Sequence, residues 1–202
     1  MTSIDAMGDE VQPELTVGRR DVYDGRVVQL HVDEVELADG KRTTREVAEH
    51  ADAVVVLPID QSGRALLVRQ YRYPIATDLL EAPAGGIDPG EAPAEAAQRE
   101  LQEEIGYRAG KLESLGGFWT APGFCTEYMY AFLARDLSPS VLEADDDEAI
   151  VVEGHDLDTI RTLIRDGRIV DAKTIAAYWM ALDRLGRLLA PRGVVTFPYD
   201  TL

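Results

Sequence analysis

The stretch that decides the fold is GGIDPGEAPAEAAQRELQEEIGY, residues 85–107. Its first part, as far as Pro93, is rich in glycine and proline, and this composition predicts a loop. Its second part carries apolar residues at helical spacing, so we expect a helix over about 93–106. Gly106 stands where a glycine commonly ends a helix. The segment therefore predicts a loop, a helix and a sharp stop.

The predicted helix carries a cluster of acidic side chains. Glu100, Glu103 and Glu104 fall within an arc of about 100° when each residue turns by 100°. Like charges at this spacing repel by roughly 0.2–0.5 kcal/mol per pair, a cost that a bound cation would relieve. Mg²⁺ prefers carboxylate and carbonyl oxygens. We expect Gly85 to let the chain turn tightly, so that the carbonyl of Ala84 points at the same site.

The apolar residues of this helix predict how it packs. Ala94, Ala97, Leu101 and Ile105 lie in the arc adjacent to the glutamates and are expected to pack on a sheet. Elsewhere, RVVQLHVDEVEL (26–37) and the following TTREVAEH predict an antiparallel hairpin around an Asp-Gly turn. Further strands are predicted at 53–60, 65–73, 79–83, 113–120 and 127–137, and helices around 156–166 and 171–189. Because strands and helices do not alternate strictly, the pattern favours an α+β fold with a mixed sheet.

Composition limits the classes of function. The chain has 202 residues, enough for one domain with a small appendage, and a formal net charge of −17. Such a charge disfavours nucleic acid and anionic membranes as partners. The longest apolar run, 53–59, is too short to cross a bilayer. The N-terminus has no secretory pattern, and Cys125 is the single cysteine, so we expect a cytoplasmic protein.

The spacing within the deciding stretch resembles a known family. Gly85 is followed after five residues by Glu91 and, after seven more, by RELQEEIGY (99–107). This matches the Nudix box at every defined position, so the chain resembles the Nudix hydrolases, which cleave a nucleoside diphosphate linked to another moiety. The resemblance implies a Nudix-type α/β/α sandwich with a mixed sheet and an N-terminal antiparallel β appendage. The implied organisation is a flexible arm (1–14), a dimerising β appendage (15–50), a Nudix hydrolase domain (51–190) and a C-terminal tail (191–202).

The resemblance also implies a metal site. Mg²⁺, with Mn²⁺ as a possible substitute, would be held by carboxylates on the helix, by a backbone carbonyl and by a carboxylate from a later loop. Glu91 and Arg99 would support the helix and the ligand geometry. Their alternative is a surface ion pair. The expected metal ligands are Ala84, Glu100, Glu103, Glu104 and Glu148.

Motifs outside the box resemble the ADP-ribose pyrophosphatase branch. They include VRQYRYPIATDLLEAPAG (68–85), TAPGFCTE (120–127) and RDGRIVDAKTIAAYWM (165–180), with Pro122 at the branch's marker position. The implied reaction converts ADP-ribose to AMP and ribose 5-phosphate. GDP-mannose or another nucleotide sugar is the first alternative. A sensor that binds ADP-ribose without catalysis is disfavoured, because the box is complete and no basic helix-turn-helix is present.

Further residues are expected in catalysis and substrate binding. The acidic run EADDDE (143–148) stands where related enzymes carry a loop that closes over the diphosphate, although it could be only a solvated loop. Glu148 is the first candidate to activate the water, followed by Asp146 and Glu103. Substrate contacts are expected from Arg45, Arg72, Glu81 and Glu127.

The resemblance implies a homodimer as well. A β appendage of this size, 26–50, is too small to be stable alone. In the ADP-ribose pyrophosphatases an equivalent appendage packs across a two-fold axis and contributes to the partner's substrate site. We therefore expect Arg45 to reach the nucleotide of the neighbouring subunit, with a β-hairpin surface arginine as the alternative.

Overall fold

The computed structural model describes residues 12–143 and 149–187. The described chain divides into two compact units. The first contains the residues as far as Ala51, together with Ala121–Glu127. The second contains Asp52–Thr120 and the residues from Tyr128 onward. The sequence does not predict that 121–127 belongs with the N-terminal strands.

The first unit is built on a three-stranded antiparallel sheet in the order β1-β2-β3. Its strands are β1 (Leu15–Asp24), β2 (Gln29–Glu36) and β3 (Arg42–Glu49). The predicted hairpin is confirmed: β2 and β3 are joined by a turn in which Gly40 has a φ of 79°. The sequence pattern does not predict β1 as a strand, because its side chains are nearly all exposed and give no buried alternation.

A buried polar cluster ties the three strands of this sheet together. His31 and Asp33 are only 3% and 7% exposed. The ring nitrogens of His31 lie 2.9 Å from Asp33 Oδ1 and 3.1 Å from Glu49 Oε1, and Arg19 donates to both carboxylates. Burial alone would raise the pKa of Asp33, but the hydrogen bonds from His31 and Arg19 lower it below its usual value.

The segment Ala121–Glu127 is fastened along β3. The backbone N–H of Ala48 donates to the carbonyl of Phe124 at 2.7 Å, and Thr126 N–H donates back to Ala48 at 3.1 Å. The Thr126 side chain also accepts from the backbone of His50 at 3.0 Å. These bonds place the segment next to the N-terminal strands, although it lies more than 70 residues further along the chain.

Among its described residues, the second unit contains two sheets and three α-helices. Its four-stranded sheet has the order β7-β4-β9-β8, and its three-stranded sheet has the order β10-β5-β6. The pairing of β4 with β9 is parallel and the other pairings are antiparallel, which confirms the mixed sheet. The elements are β4 (Ala53–Pro58), β5 (Arg64–Arg72), β6 (Thr77–Glu81), β7 (Ala84–Gly86), α1 (Pro93–Glu104), β8 (Tyr107–Trp119), β9 (Tyr128–Pro139), β10 (Ile150–Asp156), α2 (Leu157–Arg165) and α3 (Ala172–Arg184).

Alternation along β4 creates two hydrophobic layers within this unit. Val54 and Val56 lie in the same cluster as Leu101 of α1. Val55 and Leu57 lie in the other cluster, which contains the buried side chains of α2 and α3. Successive strand residues point to opposite faces, so one strand packs against helices on both sides. The expected α/β/α sandwich is confirmed.

The helix α1 follows the prediction except at its packing face. It begins at Pro93 as expected and ends at Glu104, and Gly106 takes the left-handed conformation with a φ of 72°. The prediction that Ala94 packs on the sheet is wrong, because Ala94 is exposed while Ala96 is completely buried. In the described parts of the chain, every helix is too short or too polar to cross a membrane.

Candidate active site

Gly85 lies directly against the carboxylate of Glu100 on α1. It lies in β7, opposite Val54 of β4. A methyl group built on Gly85 would overlap the carboxylate of Glu100. The expected tight turn is wrong, because Gly85 is a strand residue whose φ lies outside the left-handed range. This position requires glycine because a carboxylate occupies the space of a side chain.

A second carboxylate of α1 is held by the same strand. The backbone N–H of Ala84 donates to Glu104 Oε2 at 3.1 Å. Glu100 and Glu104 stand one helical turn apart, and each is only 8% exposed. Buried carboxylates need compensating hydrogen bonds or charges, since burial removes them from water. The short strand β7 therefore meets two acidic groups that sequence spacing alone places on one helix face.

Arg99 links the other acidic residues of the box. It donates to both carboxylate oxygens of Glu91 at 3.0 Å and to the carbonyl of Gly86 at 2.8 Å. One guanidinium nitrogen lies 2.6 Å from Glu100 and 2.9 Å from Glu103. Hydrogen bonding to Glu91 raises the pKa of Arg99 and lowers that of Glu91. Arg99 is therefore the cation that compensates this part of the cluster.

The donor set of this cluster fits a hard divalent cation. Glu100 and Glu104 are buried beside a backbone strand, and Glu103 is partly exposed on the same helix. Carboxylate oxygens are preferred ligands of Mg²⁺. Within 12–143 and 149–187, no three acidic, histidine or cysteine side chains already converge in a metal-binding geometry. The guanidinium group of Arg99 holds two of these carboxylates, those of Glu100 and Glu103.

Two residues expected to contact substrate are paired with each other. Arg72 donates to both carboxylate oxygens of Glu81 at 2.8 Å. Glu81 is 1% exposed, whereas 37% of the Arg72 side chain is accessible. Burial would raise the pKa of Glu81, but hydrogen bonds from Arg72 and Lys173 lower it. The pKa of Arg72 is raised, first by Glu81 and also by the nearby charge of Glu104, so this pair belongs to the surroundings of the acidic cluster.

Sequence reasoning missed three residues at the start of α3. Lys173 donates to Glu81 and lies 3.0 Å from Asp171. Asp171 caps the helix by accepting from the backbone of Thr174 at 3.0 Å. An aspartate three residues before a threonine at a helix start is a readable capping signal. The contact between Lys173 and Glu81 of β6 joins residues 92 positions apart, so no local sequence pattern shows it.

The remaining predicted residues lie in the first unit or outside the described chain. Arg45 donates to Glu14 at 2.6 Å and 2.9 Å. Glu127 lies 3.4 Å from the Nδ1 atom of His50. Glu148 and Asp146 fall within 144–148, outside the described residues.

Comparison with known proteins assigns the family. The NUDIX domain family matches residues 49–178, and the nucleoside diphosphate sugar hydrolase N-terminal domain matches residues 14–48. The chain belongs to the Nudix hydrolase family. The expected resemblance is thus confirmed, and the acidic helix α1 lies within the matched domain of this Nudix hydrolase.

Relatives of this Nudix hydrolase carry related activities. It is 39% identical over 166 residues to "ADP-ribose pyrophosphatase" from Bacillus subtilis, covering 81% of this chain and 90% of that protein. It is 33% identical over 142 residues to "GDP-mannose pyrophosphatase" from Yersinia pestis, covering 65% of this chain and 71% of that protein. A crystal structure of "ADP compounds hydrolase" matches with a TM-score of 0.81 and 28% identity, covering 90% and 100% of the two chains.

The close approach at Gly85 predicts a selective loss of activity. In Gly85→Ala the new methyl group would displace the end of the flexible Glu100 side chain, while the backbone need not move. The Nudix hydrolase should therefore keep its melting temperature within a few degrees and lose on the order of 10²-fold in kcat/KM. Thermal unfolding and steady-state kinetics measure the two effects.

The neighbouring glycine supplies the control for this experiment. No heavy atom lies within 4 Å of a methyl group built on Gly86, so Gly86→Ala should retain most of the activity. Equal activity losses in Gly85→Ala and Gly86→Ala would contradict the role assigned to the contact between Gly85 and Glu100.

Proposed function

We propose that this Nudix hydrolase cleaves the diphosphate bond of ADP-ribose with water, giving AMP and ribose 5-phosphate. The observation that carries the proposal is the pair of buried carboxylates, Glu100 and Glu104, held against β7 at Gly85 and Ala84. The similarity to an ADP-ribose pyrophosphatase over 90% of that protein supports the choice of substrate.

The proposed cation is Mg²⁺, for which Mn²⁺ could substitute. Glu100, Glu103 and Glu104 would hold it, together with the carbonyl of Ala84 and the carboxylate of Glu148. When bound, Mg²⁺ would supply Lewis-acid stabilisation of the negative charge on the diphosphate oxygens. A chain with a net charge of −17 needs such compensation to bind a phosphorylated substrate.

The protein's own side chains would orient the substrate and the water. Arg72 offers its accessible guanidinium group to a phosphate oxygen, while the buried Glu81 holds that group in place. Glu148 would orient or deprotonate the attacking water, with Asp146 and Glu103 as alternatives. Glu91 and Arg99 keep α1 and its carboxylates aligned with the loop that precedes them. Glu127 is proposed to contact the substrate.

The proposed assembly is a homodimer in which residues 15–50 act as the dimerisation appendage of a Nudix domain at 51–190. Arg45 would reach the nucleotide bound by the partner subunit. Several apolar side chains of β1 are exposed, including Leu15, Val17 and Val22, which are suitable for contact with a second copy. The cytoplasm is the proposed location.

A substrate panel tests the reaction. With Mg²⁺ present, kcat/KM for ADP-ribose should exceed that for GDP-mannose at least about tenfold, and chromatography should identify AMP and ribose 5-phosphate as products. The similarity to a GDP-mannose pyrophosphatase makes GDP-mannose the second candidate.

Glu104→Gln keeps the size of the side chain and removes its charge, so turnover should fall by orders of magnitude. Near-normal turnover of Glu104→Gln at limiting Mg²⁺ would contradict its role as a metal ligand.

Two substitutions test the acidic run. Glu148→Gln should lower kcat strongly and leave the Kd for ADP-ribose within a few-fold, because an interaction made mainly in the transition state affects turnover more than binding. Asp146→Asn should have a smaller effect, since Asp146 is the second choice. If both variants turn over ADP-ribose like the parent, the base must be sought at Glu103 or Glu127.

Light scattering at assay concentrations tests the assembly. The expected mass is that of two chains, 44 kDa on the 22.2 kDa monomer. Arg45→Ala should raise KM for ADP-ribose while the mass stays that of the dimer. A fully active monomer would rule out a substrate contact made across subunits.

A further inference from the structure

The first turn of α3 contacts residues 81–84, the segment that runs from the end of β6 to the start of β7. Lys173 donates to the buried carboxylate of Glu81 and lies 3.0 Å from Asp171. Asp171 is also the N-cap of α3 and accepts from the backbone N–H of Thr174 at 3.0 Å. The lysine and the helix cap therefore form one hydrogen-bonded group, and this group is attached to the end of β6.

The same turn holds the backbone of the next residue. The hydroxyl of Thr174 donates to Asp171 Oδ2 at 2.5 Å and accepts from the N–H of Ala82 at 2.7 Å. Thr174 is completely buried. Because its hydrogen is committed to Asp171, its oxygen lone pair is directed at Ala82. Because this buried hydroxyl acts both as a donor and as an acceptor, it fixes the position of the Ala82 backbone.

Further hydrogen bonds connect this segment to β4 and to the acidic helix α1. The carbonyl of Pro83 accepts from Val56 of β4 at 2.9 Å, and the N–H of Ala84 donates to Glu104 at 3.1 Å. Each residue from Glu81 to Ala84 is thus held by a hydrogen bond or an ion pair. Because every residue of this segment is held, a shift of Glu81 would also shift Ala84 and its hydrogen bond to Glu104.

We propose that Lys173 is a positioning residue for the cation ligands, acting through Glu81 and segment 81–84 on Ala84 and Glu104. The inference rests on the proposed function, because it takes Ala84 and Glu104 to be ligands of the cation. The group around the buried Glu81 contains two acidic and two basic side chains, Glu81 and Asp171 with Arg72 and Lys173, so its formal charge is zero. Lys173 is therefore needed both for the charge of this group and for its geometry.

The sign of the change in cation affinity separates positioning from simple electrostatics. Removal of a positive charge near an acidic site would, by Coulomb attraction alone, make a divalent cation bind more tightly. Loss of the positioning contact would make the cation bind more weakly, because the ligands would no longer be held in register. Losing a group that orients metal ligands typically weakens metal binding by about 10–100-fold.

The experiment measures Mn²⁺ binding to the full chain by isothermal titration calorimetry without substrate. Lys173→Met should weaken Mn²⁺ binding by about tenfold or more, and Lys173→Arg, which restores a donor and a charge, should recover most of the affinity. In kinetics, the Mg²⁺ concentration for half-maximal rate should rise in Lys173→Met, with a smaller change in KM for ADP-ribose at saturating Mg²⁺. Lys111→Met is the control, because Lys111 is an exposed lysine of the same unit that lies 3.6 Å from Glu113.

Unchanged or tighter Mn²⁺ binding by Lys173→Met overturns the inference, because it leaves only a structural or a purely electrostatic role. If Lys173→Met does not fold, the same titration compares Thr174→Val, which removes the bond to Ala82 without changing any charge, with Thr174→Ser. Weaker Mn²⁺ binding by Thr174→Val supports the inference, and equal binding overturns it. Failure of the proposed function is distinct, because the parent protein would then bind no Mn²⁺ and hydrolyse no nucleotide sugar.

Discussion

Repulsion between the carboxylates of α1 is the constraint that the surrounding part of the second unit must satisfy. Glu100, Glu103 and Glu104 stand close together on α1, and two of them, Glu100 and Glu104, are removed from water. Arg99 compensates two of these charges, and the backbone N–H of Ala84 compensates the third. Because each compensating group has a fixed place, the loop before α1, the helix and the strand β7 are specified together.

The short strand β7 shows how a backbone can serve a charged site. A residue with a side chain at position 85 would push Glu100 away from the sheet, while glycine lets the carboxylate lie against the strand. The pairing of β7 with β4 holds that strand in place. The central sheet, whose residues Val54 and Val56 also pack against α1, therefore orients the acidic face of the helix as well as its apolar face.

Local signals in the sequence predicted the elements that depend on local chemistry. Gly106 ends α1 and Gly40 closes the hairpin because both positions require a positive φ. Periodicity placed the core face of α1 correctly at Ala97 and Leu101, but it chose Ala94 where the buried residue is Ala96. The buried arc of α1 is set by its packing against Val54 and Val56 of β4, and the helix sequence alone does not contain that packing.

Other features depend on partners far along the chain. The strand β7 is only Ala-Gly-Gly, which has no intrinsic preference for a strand and becomes one by pairing with β4. The close approach of Gly85 to Glu100 and the link from Lys173 to Glu81 arise only after the chain has folded. The box spacing therefore predicted which side chains form the candidate site, while the reason that each one is held in place was visible only in three dimensions.

Arg99 gives this enzyme an internal counter-ion. A guanidinium group already neutralises part of the carboxylate cluster before any ion binds. A cation that bound at these carboxylates would compete with contacts that the protein has already made, so it would bind less tightly than to bare carboxylates. Occupancy would then follow the concentration of free cation in the surroundings, and loading and unloading would proceed as a reversible exchange on a folded scaffold.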